Sequence, residues 1–179
     1  ATETWDMVDL EEGINPHTLR FDERGRLWYT ITATNQVGMF DPKTREQKFI
    51  RLEFPDLQAQ FITWFTPFFI EHADLFNLED RSADMDGITL PMPYGIDISP
   101  IDGSVWYSQL NMSHIGRIDP DTFEVTSIKT PFVTPRRLRF DSKGNLWVPS
   151  YSEGTINRFD TNTMAWQESF AIPVQPIGS

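Results

Sequence analysis

The side chains best suited to catalysis or ligand binding lie at three equivalent places, each directly after a proline. They are His17, Tyr94 and the pair Arg136 and Arg137. An imidazole can act as a general base near neutral pH, and guanidinium groups match the geometry of a carboxylate or phosphate. His17 is therefore the candidate catalytic residue, and the two arginines predict a clamp for an anion. Each has a simpler alternative, His17 as a polar surface residue and the arginines as partners of acidic side chains.

A repeat positions these residues. Three tryptophans are each followed by an aspartate thirteen residues later: Trp28 and Asp41, Trp106 and Asp119, Trp147 and Asp160. Such regular spacing of a rare residue indicates a repeat array. We interpret the tryptophans as packing between units, and the aspartates as residues that hydrogen-bond the backbone of the turns that they begin.

Each unit has the order of strand and turn segments that is typical of a small antiparallel sheet. A short alternating segment is followed by a glycine-containing turn, a strand that carries the tryptophan, a third strand that ends at the aspartate, and a fourth strand. Four antiparallel strands in about forty residues are typical of a propeller blade. We therefore predict an all-β fold, a β-propeller segment of about three four-stranded blades at residues 16–55, 93–132 and 133–175.

The two ends of the chain resemble parts of further blades. Residues 1–15 are predicted to contain one extra outer strand of an incomplete blade, at residues 5–10, and residues 176–179 the start of a truncated repeat. Propellers close with about four to eight blades, so three blades should not close alone. The sequence predicts either a fragment of a longer chain or an oligomer that completes a ring, and two copies would give six blades.

An insert at residues 56–92 interrupts the repeat. Asp56 is predicted to cap a helix over residues 57–66, which Pro67 would kink or end, and the acidic residues 77–86 are predicted to form a loop. The insert enters on the same side of the disc as the proline-flanked residues. Its aromatic side chains predict a lid, a partner-binding helix or a subunit interface: Phe61, Trp64, Phe65, Phe68 and Phe69.

The strand order brings further residues to that side. In a four-stranded meander, the start of the first strand and the end of the second open on the same side of the disc. Gln109 and Ser150 lie at the end of a second strand. We therefore predict that they join Tyr94, Arg136 and Arg137 in binding a small molecule or a protein at the mouth of the central channel.

Composition excludes several function classes. There is no cysteine, so neither disulfides nor cysteine-based zinc sites are possible. A net charge of −11 argues against binding to nucleic acid, and no apolar run is long enough for a transmembrane segment. No metal site or cofactor is evident from the residues. Cysteine usage leaves the compartment open, and we favour a periplasmic or secreted location over a cytoplasmic one.

The repeat units resemble those of the streptogramin lyases, also called virginiamycin B lyases. The resemblance rests on Pro-His-x-Leu with Gly-x-Leu-Trp-Tyr-Thr in the first unit, and on Pro-Tyr-Gly-Ile with Val-Trp-Tyr-Ser and Ile-Gly-Arg-Ile-Asp-Pro in the second. It covers nearly all of the chain outside the insert. It implies a seven-bladed propeller, and an enzyme that opens a cyclic lactone antibiotic by elimination with Mg²⁺ and a histidine.

The resemblance also shows where this sequence departs from the family. His17 matches the family's histidine position, whereas Tyr94 and Arg136 replace it in the other units. Gln109 and Ser150 stand where the resemblance implies an acidic residue, as does Ile31 in the first unit. The sequence therefore favours a binding or scaffold module over the lyase. The Mg²⁺-dependent lyase and the subunit of an oligomeric ring are the alternatives.

Overall fold

The computed structural model describes residues 6–72 and 90–173, which form three four-stranded antiparallel sheets and one helix. Each sheet is a meander in which consecutive strands pair. The first blade contains β1 (Pro16–Phe21), β2 (Leu27–Ile31), β3 (Gln36–Phe40) and β4 (Gln47–Arg51). The second contains β5 (Pro93–Ile98), β6 (Val105–Gln109), β7 (His114–Ile118) and β8 (Val125–Lys129). The third contains β9 (Arg139–Phe140), β10 (Leu146–Ser150), β11 (Thr155–Asp160) and β12 (Ala165–Ala171).

The blades share an axis lined by their first strands. Strand β5 contacts both β1 and β9, so the three first strands lie side by side. Asp97 of β5 links them, because it accepts a hydrogen bond from Arg20 on β1 at 3.1 Å and one from the backbone N–H of Phe140 on β9 at 2.8 Å. This arrangement confirms the prediction of an all-β propeller segment of three four-stranded blades.

Apolar layers between the blades form the core. One layer joins Trp28, Val37 and Ile50 of the first blade to Ile96 and Tyr107 of the second. The other joins Trp106 and Ile115 of the second blade to Leu138, Val148 and Phe159 of the third. Burial of large apolar side chains is the main favourable term in folding, so each blade depends on its neighbour. The prediction that Trp28 and Trp106 pack between blades is confirmed.

Polar contacts hold each tryptophan at its place. The indole N–H of Trp28 donates to Asp22 at 2.9 Å, and the indole N–H of Trp147 donates to Asp141 at 3.0 Å. In the second blade a serine takes the place of the carboxylate, and Trp106 donates to the hydroxyl of Ser104 at 2.9 Å. The bond from Trp147, with others from Asn145, lowers the pKa of Asp141 below its ordinary value of 3.8.

Turns behave as the sequence predicts. Asp41, Asp119 and Asp160 each accept a backbone N–H two residues further along the chain, at 2.8 to 2.9 Å. Gly116 allows the ring of Tyr107 to lie directly against the backbone of β7, because a Cβ on residue 116 would lie 2.2 Å from that ring. Gly38 has the same relation to Tyr29 in the first blade.

Two predicted elements differ from the structure. Residues 6–10 form no strand, and Trp5 lies outside the described residues, as do residues 77–86 and 176–179. Among the described residues no strand pairs with residues 6–10. They lie beside the first blade, where the Gln47 side chain donates to the carbonyl of Asp9 at 2.9 Å. The helix α1 spans Leu57–Glu71 and continues through Pro67.

Asp56 caps α1 as predicted, since its carboxylate accepts the N–H of Ala59 at 2.7 Å. The helix continues beyond its predicted end although an interior proline disfavours it, and helical hydrogen bonding resumes after Pro67, where the N–H of His72 donates to the carbonyl of Phe68 at 3.1 Å. The buried Ala59 and Thr63 pack α1 against the rest of the protein. Within the described ranges, no helix is long and apolar enough to cross a membrane.

Candidate functional site

The proline-flanked residues of all three blades lie at one end of the axial strands. Pro16 pairs with the last residue of β2, Pro93 with the last residue of β6, and Pro135 forms an isolated bridge to Ser150 at the end of β10. His17, Tyr94 and Arg136 therefore open on the same side of the disc, although 77 and 42 residues separate them along the chain.

Ring contacts join these side chains into one surface, which we call the mouth cluster: His17, Tyr94, Arg136, Arg137 and Tyr151. The ring of His17 lies 4.3 Å from that of Tyr94. The guanidinium of Arg136 lies 5.2 Å from the centre of the Tyr94 ring and 4.0 Å from that of Tyr151, and the guanidinium of Arg137 lies 5.7 Å from Tyr94. These distances suit cation–π attraction. The two guanidinium groups therefore lie against the tyrosine rings of the cluster.

The backbone beneath the cluster is held from both neighbouring strands. The N–H of Arg136 donates to the carbonyl of Pro149 at 3.0 Å, and the carbonyl of Arg136 accepts a short hydrogen bond from the hydroxyl of Ser108. That hydroxyl in turn accepts the N–H of Gly95 at 3.0 Å. Gly95 packs directly on the segment, because a Cβ there would lie 2.7 Å from the carbonyl oxygen of Arg136. The position of the arginines is therefore fixed by the second and third blades together.

Arg136 and Arg137 differ from most of the described arginines in having no carboxylate partner among the described residues. Seven other arginines form ion pairs with Asp or Glu, namely Arg20, Arg24, Arg26, Arg45, Arg51, Arg117 and Arg158. Arg139 donates to the carbonyls of Ile96 and Leu138. Neither Arg136 nor Arg137 has a carboxylate partner among residues 6–72 and 90–173, and the buried Nε of Arg136 has no hydrogen-bond acceptor there.

A cleft of about 500 Å³ opens beside the arginines. Tyr94, Arg136, Arg137, Ser150 and Tyr151 line it, together with Pro149, Gly154 and Ile172. Two positive groups at the wall of a partly apolar cleft favour an anion that carries an apolar body. The hydroxyl of Ser150 is already used, since it donates to the carbonyl of Val133 at 2.8 Å.

Gln109 lies away from this cleft. Its side chain is fully buried, and its amide donates to the side chain of Asn35 at 2.9 Å and to the carbonyl of Glu53 at 3.3 Å. Gln109 therefore ties the second blade to the first. The structure does not bring it together with the other predicted ligand-binding residues.

Among the described residues, no carboxylate hydrogen-bonds to the ring of His17. Its ring is exposed, and its Nδ1 lies 2.9 Å from the hydroxyl of the adjacent Thr18. In the part of the chain that the structure describes, no group of three or more His, Asp or Glu residues could hold a metal ion. The described donor set therefore does not fit a Mg²⁺ site, and no catalytic step through such an ion follows from it.

Helix α1 carries four described aromatic side chains at the protein surface. Phe61, Trp64, Phe65 and Phe68 are exposed, whereas the small residues Ala59 and Thr63 face inward. Phe69 belongs to the helix, but its side chain lies outside the described residues. Trp64 borders a separate cleft of about 360 Å³ between the helix and the first blade. Four of the five side chains of the predicted lid or partner surface are thus exposed.

Sequence reasoning did not identify Tyr151. It directly follows Ser150, so its place at the mouth could have been inferred from the end of β10. Its role depends on Arg136, which it contacts more closely than Tyr94 does. The repeat offers no signal for it, because Leu110 and Thr32 occupy the matching positions of the other blades.

Comparisons with known proteins agree on the architecture. No protein-family model and no curated protein sequence matches the chain significantly. Among solved structures, a catalytically inactive virginiamycin B lyase from Staphylococcus aureus with quinupristin superposes with a TM-score of 0.65 at 23% identity. The match covers 92% of this chain and 44% of the lyase.

Two further structures give the same picture. A streptogramin B lyase matches with a TM-score of 0.62 at 21% identity, over 88% of this chain and 41% of the lyase. A putative gluconolactonase matches with a TM-score of 0.57 at 17% identity, over 90% of this chain and 51% of that protein. The chain spans less than half of the lyases that it matches. At these identities the likeness concerns the fold alone, and the fold is that of a streptogramin lyase-like β-propeller.

Proposed function

We propose that this chain is a binding propeller whose mouth cluster takes a small anionic ligand. The observation that carries the proposal is that Arg136 and Arg137 have no carboxylate partner among the described residues. This is notable in a protein with a net charge of −11, where acidic side chains are abundant. The buried Nε of Arg136 also has no acceptor among the described residues, and an unsatisfied buried polar group costs about 1–3 kcal/mol.

The class of ligand follows from the walls of the cleft. Guanidinium groups bind carboxylates and phosphates through paired N–H donors, and the rings of Tyr94 and Tyr151 offer apolar faces next to them. A planar organic anion, with one acidic group and an aromatic body, satisfies both features. Benzoate and phenyl phosphate are the simplest probes of this chemistry, and benzamide is their neutral counterpart.

Isothermal titration calorimetry tests the proposal. Benzoate or phenyl phosphate should bind and benzamide should not, and the affinity should fall as salt is added. Arg136→Gln should weaken binding by about tenfold or more, since one hydrogen bond to a charged group contributes about 1.5–3 kcal/mol. Arg24→Gln is the matched control: it makes the same change in net charge at the opposite end of the first blade, where Arg24 pairs with Asp121. Equal effects of the two substitutions would contradict the proposal.

The alternatives from the sequence remain separate predictions. For the lyase, the discriminating observation is turnover of a streptogramin B antibiotic that requires Mg²⁺ and disappears in His17→Ala. For the helix face, deletion of residues 56–86 should change binding or assembly if the insert is a lid or an interface. The scaffold role in an oligomeric ring concerns the two end blades and is independent of the mouth cluster.

A further inference from the structure

The segments that line the axis carry an excess of positive charge. Residues 16–21, 93–98 and 135–140 contain four arginines and one aspartate, whereas the whole chain has a net charge of −11. Three of these charged residues hold the same place in their segments, four residues after the proline: Arg20, Asp97 and Arg139. The axis is therefore positive in a protein that is acidic elsewhere, and such a field favours anions.

The axial side chains form two levels along strand β5. At the upper level, which is the mouth cluster, the guanidinium of Arg137 lies 5.7 Å from the centre of the Tyr94 ring. At the lower level, Nη1 of Arg139 donates to the carbonyl of Ile96 at 3.1 Å. Tyr94 and Ile96 are two residues apart on β5, so the two arginines follow one strand at a spacing of about 7 Å.

The one carboxylate of these segments is already used. Asp97 accepts a hydrogen bond from Nε of Arg20 at 3.1 Å and one from the backbone N–H of Phe140 at 2.8 Å. The hydrogen bonds of Arg139 to described residues go to two backbone carbonyls, and both come from Nη1. Within residues 6–72 and 90–173, the donors on its Nε and Nη2 therefore have no acceptor.

Arg139 also lies in an unfavourable electrostatic environment. Burial lowers its pKa below the ordinary value, and the like charges of Arg20 and Arg137 act in the same direction, against the opposite effect of Asp97. Arg137 is exposed and Arg139 is half-buried, so neither side chain is closed off from solvent. An anion bound beside Arg139 would offset the repulsion between these cations.

We propose that Arg139 forms a second anion subsite below the mouth cluster, and that the ligand of this propeller carries two acidic groups about 7 Å apart. The inference rests on the proposed function, because the first acidic group binds Arg136 and Arg137. The second group accepts the remaining donors of Arg139, and the body of the ligand lies along β5 beside Tyr94. The ligand class is thus an organic dianion with its acidic groups at opposite ends, since guanidinium groups bind such groups through paired donors.

Calorimetry with two matched ligands tests the second subsite. Terephthalate has carboxylates at opposite ends of its ring, and its monomethyl ester keeps the size and the first carboxylate but lacks the second charge. The unchanged protein should bind terephthalate about tenfold more tightly than the ester, because hydrogen bonds between charged groups are the stronger ones. Both ligands contain the first acidic group, so the ratio of their affinities isolates the second one.

A pair of substitutions assigns this preference to Arg139. In Arg139→Gln the preference for terephthalate over the ester should largely disappear. Arg117→Gln is the matched control, since it makes the same change in net charge on the third strand of the second blade, where Arg117 pairs with Asp102 at 3.1 Å. This control should keep the full preference. Circular dichroism shows whether each variant is folded.

The Nε–H NMR signal of Arg139 gives a readout that needs no substitution. In the unchanged protein it should shift as terephthalate is added and shift much less with the monomethyl ester. The signal of Arg136, in contrast, should shift with both ligands. This measurement tests the subsite even if Arg139→Gln does not fold.

The outcomes separate this inference from the proposed function. If benzoate binds and terephthalate binds no more tightly than its ester, the second subsite is wrong and the proposed function stands. An equal loss of preference in Arg117→Gln and Arg139→Gln would also overturn the subsite, because the preference would then reflect net charge. If neither benzoate nor terephthalate binds, both proposals are wrong.

Discussion

Gly95→Ala should damage the mouth cluster without altering any of its side chains. The added Cβ would lie 2.7 Å from the carbonyl oxygen of Arg136 and 2.8 Å from the Cα of Arg137, where ordinary contact begins at 3.4 Å. Both neighbours are backbone atoms, so the segment must move by about 0.7 Å or the second blade must yield. Overpacking of this kind costs about 1–3 kcal/mol.

Two measurements follow from this displacement. Urea unfolding should show a loss of about 1–3 kcal/mol in the free energy of unfolding, and calorimetry should show weaker benzoate binding, because the guanidinium groups move with the backbone. Gly38→Ala is the control. Its Cβ would lie 2.3 Å from the Tyr29 ring in the first blade, so it should lower stability and leave binding intact.

The Gly95→Ala experiment also has a clear contrary outcome. If Gly95→Ala binds benzoate as the unchanged protein does, the backbone position of Arg136 and Arg137 does not determine the site. If Gly38→Ala weakens binding as strongly as Gly95→Ala, the loss reflects general instability. Either result would refute the reasoning from the packing of Gly95.

Three further substitutions test the packing. Asp97→Ala should lower the free energy of unfolding by about 2 kcal/mol in urea, because Asp97 pairs with Arg20 and accepts a backbone hydrogen bond from the third blade. Tyr107→Phe should leave that free energy unchanged or raise it by up to about 1 kcal/mol, since the buried hydroxyl has no partner among the described residues. Trp147→Phe should raise the pKa of Asp141 in a carboxyl NMR titration, because an indole hydrogen bond lowers it. The stability from that lowered pKa is present above the unfolded-state value of 3.8 and is lost as the pH falls through the folded value, so the variant should lose less stability in acid.

The blades could be predicted from the sequence because their signals are local. The spacing from Trp28 to Asp41, repeated twice more, covers the single hairpin of β2 and β3, and glycine turns and pleated segments need no distant partner. The cap at Asp56 is local in the same way. The difference at residues 6–10 has the opposite cause, since a strand needs a partner for its backbone hydrogen bonds and none pairs with these residues in the described part of the chain.

The site could be predicted only in part. Tyr94 and Arg136 meet because the repeat fixes which strand ends share a side of the disc. Gln109 and Ser150 occupy the same position of the repeat. The Gln109 side chain, however, is buried and donates a hydrogen bond to Asn35 of the preceding blade. The lack of partners for Arg136 is likewise a tertiary property, because it depends on where every carboxylate of the described chain lies.

The central claim is that the guanidinium groups of Arg136 and Arg137 bind an anion. NMR of the arginine side-chain Nε–H signals tests this claim most directly. During a titration with benzoate, the signals of Arg136 and Arg137 should shift and saturate together, while that of Arg26, which already pairs with Asp22 at 2.7 Å, should stay in place. Signals that do not move, or that all move alike, would contradict an anion site at the mouth cluster.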